Sequence, residues 1–291
     1  RDNAEIKDYR FLRKLLFLFR AVYSIRTTQE ITCIVRKDKP DIAHVHNVFP
    51  LISPSVYQSL VKTGLPVIQT IHNFRFMCPN GLFFTRGKIC ERCKNGNTLH
   101  AIRWRCFHDS IILSGLYAIS IGIHRLFGTF TKISGFITLN AFTSHKLIET
   151  GLAQADRIRV IPNHFPEIRF IEPATVKRRD VVYVGRLSKE KGVDLLIEAV
   201  KKVPGLCLHI LGTGPMEQSL RKSAGAENNR IFFHGFVIGT KKIDLLKRAL
   251  FMVIPSIVYE QFPITALEGM AYGLPLILPE MGGWASTMIG Y

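Results

Sequence analysis

The sequence predicts an α/β protein made of two doubly wound, Rossmann-like domains, and three observations carry that prediction. Its 291 residues exceed one ordinary α/β domain and suit about two. Short apolar runs alternate with stretches of helical periodicity through both halves. Glycine and proline punctuate most of the junctions between them. Hydrophobic residues make up 47% of the chain and charged residues 21%, enough apolar surface to form cores and to exclude a disordered class.

The first domain is assigned to residues 1–165. Residues 5–36 carry apolar side chains at helical spacing (Leu12, Leu15, Leu16, Leu18, Phe19, Val22, Ile25) with bases between them, the pattern of an amphipathic helix. After Lys39-Pro40-Asp41, residues 42–46 read as a short buried strand. A helix over 53–62 follows, with Pro54 suited to its first turn. Gly64-Leu65-Pro66 ends it, and 67–72 form the next strand. Residues 111–127 are strongly apolar but hold two glycines and end in His124-Arg125. That run falls short of the roughly 20 uninterrupted residues of a membrane span, so it reads as a buried or membrane-facing helix. A strand at 137–140, a helix over 144–150 and a strand ending at 160–163 complete this half.

Residues 166–180 contain two prolines and Lys177-Arg178-Arg179 with little periodicity, which suits an interdomain linker. The second domain, 181–291, has strands at 181–185, 206–212, 231–235, 251–255 and 274–278. Helices are expected over 193–203, 216–225, 241–249 and 263–272. Strand–helix alternation of this kind builds a parallel sheet covered by helices on both faces.

The chain carries 39 Lys plus Arg against 22 Asp plus Glu, a net charge of +17. Through residue 165 the count is 23 basic against 10 acidic, so +13 of the excess lies in the first half. Such a field attracts an anionic surface, nucleic acid or lipid headgroups alike, while a merely solvated basic surface accounts for it equally. Residues 1–9 are charged and lack the apolar core of an export signal.

In open α/β sheets ligands bind beyond the carboxyl ends of the strands, so the segments after each strand are the ones to inspect. Gly185-Arg186-Leu187-Ser188-Lys189-Glu190-Lys191-Gly192 places cations and glycines where a helix is about to start, a setting that attracts phosphate. Gly212-Thr213-Gly214-Pro215 lets backbone approach a ligand closely before the next helix. The sharpest signal is Pro255 to Pro275, which holds Glu260, Phe262, Pro263 and Glu268. Its two glutamates lie eight positions apart across a strand-to-helix junction. Ionised carboxylates accept hydrogen bonds from paired hydroxyls, so one can reach a sugar and the other a ribose.

These motifs resemble the large retaining glycosyltransferase family 4, of the GT-B fold, whose Glu-x7-Glu element Glu260 and Glu268 match. Gly185-Arg186-Leu187 with Lys191-Gly192 looks like the family's diphosphate-binding segment. His234-Gly235-Phe236 resembles its segment near the nucleotide base. His44-Val45-His46-Asn47 and Thr70-Ile71-His72-Asn73 resemble strand-end motifs of the acceptor side. The resemblance runs over about residues 40–285. It implies two incomplete Rossmann-like domains facing a cleft, and retaining transfer of a sugar from a nucleotide-diphosphate sugar to a glycan or lipid-linked acceptor, as in surface polysaccharide biosynthesis. No catalytic cofactor is required. Arg186 and Lys191 would stabilise the leaving diphosphate and Glu260 would hold the donor sugar. Glu268 would hold the ribose, and His72 would orient the reactants. Gly185, Gly212, Gly214, Phe236, Phe262 and Pro263 would shape the donor side, and His46, Asn47 and Asn73 the acceptor side. The family normally opens with a strand and a glycine-rich loop that nothing before Arg10 supplies, and continues beyond Tyr291. The expectation is therefore of a truncated, inactive piece of a cytoplasmic enzyme, peripheral at the inner membrane face.

Cys78, Cys90, Cys93 and Cys106 lie in an insertion over about 77–108 with the spacing C-x11-C-x2-C-x12-C. Four thiolates can close a structural zinc site, although buried thiols fit the outer two equally well. The insertion, opening Cys78-Pro79-Asn80-Gly81, resembles that of a family 4 subgroup associated with surface polysaccharides. Cys33 and Cys207 sit in apolar sequence and read as inert. A basic, zinc-bearing nucleic-acid-binding protein is the rival reading, but it leaves the second half unexplained, and no nucleic acid partner is expected. Another GT-B enzyme, such as a nucleotide-sugar epimerase or a glycogen-synthase-like transferase, is the nearer alternative.

Overall fold

The computed structural model describes residues 20–49, 52–164, 179–225 and 229–283. The apolar positions up to Phe19, almost all of the expected linker and the segment after Gly283 lie outside them. The chain divides into two compact units, Arg1–Pro162 and Asn163–Tyr291, three residues before the boundary read from the sequence.

In the first unit helix α1 spans Ile25–Asp38. Ser24, itself extended, starts it by accepting at its side chain from the Thr27 amide, and Lys39 closes the helix in the left-handed region at φ 46°. The long helix expected over 5–36 is therefore interrupted before Ile25. Strand β1 (Ala43–Val45) leads to α2 (Ser55–Lys62), which Pro54 starts, and then to β2 (Val67–Ile71). Strand β1 pairs only with β2 among the described residues, and His44 is exposed, so it is an edge strand rather than a buried one. The α2 face turned inward carries Tyr57, which is fully buried and donates from its hydroxyl to Gln69 Oε1 at 2.5 Å. Its ring meets Phe76 and Phe130 edge-on.

The segment between β2 and the next sheet strand holds a hairpin, β3 (Phe84–Thr85) with β4 (Lys88–Ile89), and two helices, α3 (Leu99–Arg103) and α4 (Ile111–Leu126). Ser110 caps α4 by accepting from the Leu113 amide. One face of α4 is core: Leu116, Tyr117, Ala118, Ile121 and His124 are buried. His124 donates from Nε2 to the Val22 carbonyl at 2.8 Å and pairs through Nδ1 with Thr129, so it pins residues 20–22 to this helix. The opposite face leaves Ile111, Ile112, Ile119, Leu126 and Phe127 more than half exposed. This helix is thus half in the core, not wholly buried. No helix among the described residues is long and apolar enough to cross a membrane. Strand β5 (Gly135–Thr138), α5 (Ala141–Glu149) and β6 (Ile158–Val160) follow, with Asn140 capping α5 rather than extending the strand. The four sheet strands run parallel in the order β1-β2-β5-β6.

The second unit is a five-stranded parallel sheet of β7 (Asp180–Val184), β8 (Cys207–Leu211), β9 (Ile231–Gly235), β10 (Phe251–Val253) and β11 (Leu276–Ile277). Spatial order is β11-β10-β7-β8-β9. The first strand of this unit sits in the middle and the chain winds outward in both directions, which is the doubly wound arrangement with a switch point between β7 and β10. Alternation along β7 feeds two cores. Val181 and Tyr183 join Leu208, Ile210 and the inner face of α6 (Val193–Lys201) and α7 (Glu217–Ala224). Val182 points the other way, with Leu211, Met252, Leu246 from α8 (Gly239–Arg248) and Ala266 from α9 (Ile264–Ala271).

Candidate active site

The carboxyl end of the second sheet is made of backbone brought close to backbone. The loops after β7 and β8 are stitched together by Leu187 N–H to Thr213 O (2.9 Å) and Met216 N–H to Leu187 O (2.9 Å). That spacing leaves no room for side chains. A Cβ on Gly212 would overlap the Gly185 carbonyl, one on Gly214 the Leu187 backbone, and one on Gly192 the Pro255 carbonyl. Gly192, at φ 62°, and Gly212, at φ 142°, also occupy backbone conformations that disfavour other residues. The loop after β10 joins the same edge through Ile257 N–H to Glu190 O at 2.9 Å.

Two ion pairs sit on this edge, and each holds one glutamate of the motif. Lys191 Nζ lies 2.5 Å from Glu260 Oε1, and Ser256 Oγ donates to the same oxygen at 2.5 Å. Glu268 is held by Lys242 Nζ at 2.6 and 2.8 Å to its two oxygens. Lys242 escapes a reading by motif, because it lies on α8 in a basic helical stretch that looks like a solvated face. A carboxylate at position 268 in search of a cation was the only signal for it. Burial raises the Tyr183 phenol well above its ordinary range, with Glu260 and Glu190 adding to the effect, and its hydroxyl donates to the Arg186 carbonyl at 2.8 Å. Tyr183 is therefore a neutral buttress under the loop.

A pocket of about 630 Å³ opens between these loops. Gly185, Arg186, Gly212 and Gly214 line one side, and Phe236, Lys242 and Glu268 stand on the other walls. Arg186 is exposed and its guanidinium has no carboxylate partner among the described residues. Phe236 is 79% exposed, a flat apolar ring at the wall of the pocket. The site residues read from the sequence thus fall into two groups. Arg186, Glu268, Phe236 and the glycines share this pocket, whereas Lys191 and Glu260 pair at the neighbouring switch point without lining it. Phe262 is buried and Pro263 caps α9, and neither lines the pocket.

In the first unit the strand-end residues also gather. His46 Nδ1 lies 2.8 Å from His72 Nε2, and Asn73 Nδ2 donates to Asn47 Oδ1 at 3.0 Å. His44 Nε2 pairs with Thr70 Oγ1 at 2.7 Å. His72 is pushed below the ordinary histidine range by burial and by its two histidine neighbours, and His46 by burial and His44. The pair is therefore neutral at neutral pH, with one ring nitrogen donating to the other. Next to it the Arg75 guanidinium lies 4.8 Å from the Tyr117 ring and 5.3 Å from Phe107.

Comparison with known proteins bears on this geometry. Residues 164–289 match the family of glycosyl transferases, group 1. That group 1 match takes in every residue of the second unit discussed above. Over 92% of its length the chain is 24% identical to an uncharacterized glycosyltransferase of Methanocaldococcus jannaschii. It is 26% identical, over 62% of its length and 50% of the relative's, to the O-antigen biosynthesis glycosyltransferase WbnH of Escherichia coli. Among solved structures, the lipopolysaccharide outer core galactosyltransferase WaaB superposes at a TM-score of 0.60 with 19% identity, covering 94% of this chain and 65% of WaaB. Anabaena HepE in complex with UDP gives 0.60 at 16% identity, covering 90% of this chain and 65% of HepE. These likenesses place the chain in the GT-B fold class. The chain spans 64% of the length of the Methanocaldococcus protein.

Two outcomes follow from the geometry. Gly212→Ala, with a Cβ driven into a carbonyl, is expected to lower stability by roughly 2–4 kcal/mol, read as a reduced urea midpoint; an unchanged midpoint would refute the close approach. His72 should titrate with a midpoint below 6.5, its ordinary value, when its ring protons are followed by NMR. Since the unfolded chain then binds protons more readily, this histidine costs stability as pH falls through 6.5. A midpoint at or above that value would contradict the neutral pair.

Proposed function

We propose that the protein is a retaining glycosyltransferase of family 4 that moves a sugar from a nucleoside-diphosphate sugar to a glycan or lipid-linked acceptor in surface polysaccharide biosynthesis. The observation that carries this reading is the pocket at the carboxyl edge of β7 and β8, floored by glycine backbone and holding, beside Glu268, an Arg186 with no acidic partner among the described residues. Backbone brought this close can present N–H groups to phosphate oxygens, and an unopposed guanidinium supplies the matching charge. The named relatives support it: WbnH is an O-antigen biosynthesis glycosyltransferase, and HepE has been solved with UDP and with UDP-glucose.

In this reading Phe236 offers a ring on which the base stacks, and Glu268, fixed by Lys242, accepts from the ribose hydroxyls. Lys191 and Arg186 stabilise the charge that grows on the diphosphate as the bond from the anomeric carbon to the phosphate oxygen breaks. Glu260, oriented by Lys191 and Ser256, holds hydroxyls of the donor sugar. The acceptor oxygen attacks from the same face, and its proton passes to the departing diphosphate, so no protein base and no metal is needed for that step. His46, Asn47, His72 and Asn73 form the acceptor side. We place the protein in the cytoplasm, held peripherally at an anionic membrane by the exposed isoleucines of α4 and the basic first unit.

Thermal-shift screening of uridine, guanosine and adenosine diphosphates tests the donor site, and one of them is expected to stabilise the protein. With that donor, Lys191→Ala and Glu260→Ala should each lower the rate of sugar transfer by at least about a hundredfold with the fold retained. Wild-type turnover in both would remove the pair from the mechanism. Glucan elongation would point instead to a glycogen-synthase-like enzyme, and release of free sugar to an epimerase. For the membrane surface, cosedimentation with anionic vesicles should be strong at low salt and fall as salt rises. Equal binding to neutral vesicles, or none to either, would dismiss it.

A further inference from the structure

The insertion between β2 and α4 contains a feature that sugar transfer does not use. Cys78 follows the turn after β2, Cys90 follows β4, Cys93 lies in the next turn and Cys106 follows α3. Between Cys78 and Cys106 run 27 residues, yet all four sulfur-bearing side chains line one cavity, with His100 beside them. That cavity is about 10 Å³, room for a single water-sized body and no more. We propose that Cys78, Cys90, Cys93 and Cys106 form a structural site for one divalent metal ion of the zinc class.

Four properties of the cavity suit that occupant. Its ligands are four soft sulfurs, the complete set of a closed tetrahedral site. All six cysteines of the chain are free thiols, so the four are not committed to disulfides. A side-chain hydroxyl stands by as well, that of Thr85 at 3.6 Å from Cys106 Sγ. Donation from such a group favours thiolate and orients it. Charge is provided too. Four thiolates around one dication leave a net double negative charge, and Arg86 and Arg92 flank it, stacked on the Trp104 ring at 4.5 and 4.7 Å.

Cys78 Sγ donates to Asn80 Oδ1 at 3.0 Å, a bond that ligation would replace. Among the described residues no group of three or more His, Cys, Asp or Glu stands at metal-binding spacing, so the four side chains must close on the ion as it binds. Binding would replace four S–H bonds by four metal–sulfur bonds and release four protons to solvent, with no change of oxidation state. The ion would then cross-link the hairpin, α3 and the turn that follows Asn73 and Arg75.

The test is reconstitution of the whole chain, stripped by chelator under reductant, with zinc or cobalt salts. About one equivalent of zinc should bind, and cobalt should give the charge-transfer and d–d bands of a tetrahedral tetrathiolate. Zinc should slow alkylation of these four cysteines at least about tenfold, while exposed Cys33 stays reactive. Cys90→Ser/Cys93→Ser should lose the cobalt spectrum, with binding of the stabilising nucleotide used as a separate check that the second unit remains folded. The proposal is overturned if cobalt gives no thiolate bands and excess zinc leaves alkylation unchanged, or if mass spectrometry finds disulfides among the four after purification. Neither result would touch the transferase reading, which rests on the other unit.

Discussion

The second unit depends on one steric constraint: three loops at its sheet edge approach so closely that only glycine can stand at the contacts. Gly192 meets Pro255, Gly212 meets Gly185 and Gly214 meets Leu187. Without that approach the β7 and β8 loops could not exchange the hydrogen bonds that fix them, and the pocket would have no floor of main chain. Close packing of this kind transmits strain, so each glycine is held by its neighbours rather than by its own preference. The sheet order reinforces it, because the switch point between β7 and β10 is where neighbouring loops diverge and leave a crevice.

Charge is organised around the same edge. Each glutamate of the motif has a lysine of its own, Lys191 for Glu260 and Lys242 for Glu268, and these half-buried pairs leave Arg186 as a pocket cation with no acidic partner among the described residues. Partly exposed ion pairs contribute little to stability, so their value here lies in orientation. The first unit uses another device. Its strand-end histidines lie against one another and are kept neutral by burial and mutual repulsion, which preserves their capacity to accept as well as donate.

Much of this was legible in the sequence, for identifiable reasons. The strands of the second unit could be read because each is a short apolar run, and β7, central in the sheet, is apolar on both faces. Glu260 and Glu268 stood out because carboxylates in an apolar frame need partners. Lys242 could not be found in the same way, since a lysine on an amphipathic helix looks the same whether it faces solvent or an acid. Strand β1 was misjudged as buried because its apolar run does not tell an edge from a centre. The hairpin β3–β4 escaped because two-residue strands carry no periodicity at all. Helix α1 was drawn too long, since periodicity continues across Ser24 while the side chain of Ser24 itself ends the run.

The grip of Lys242 on both oxygens of Glu268 has an entropic corollary. A carboxylate clamped by an ammonium has already surrendered its rotamer freedom when the chain folds, before any guest arrives. A hydroxyl pair entering beside it meets acceptors fixed in place, and little torsional order remains to be imposed on the host.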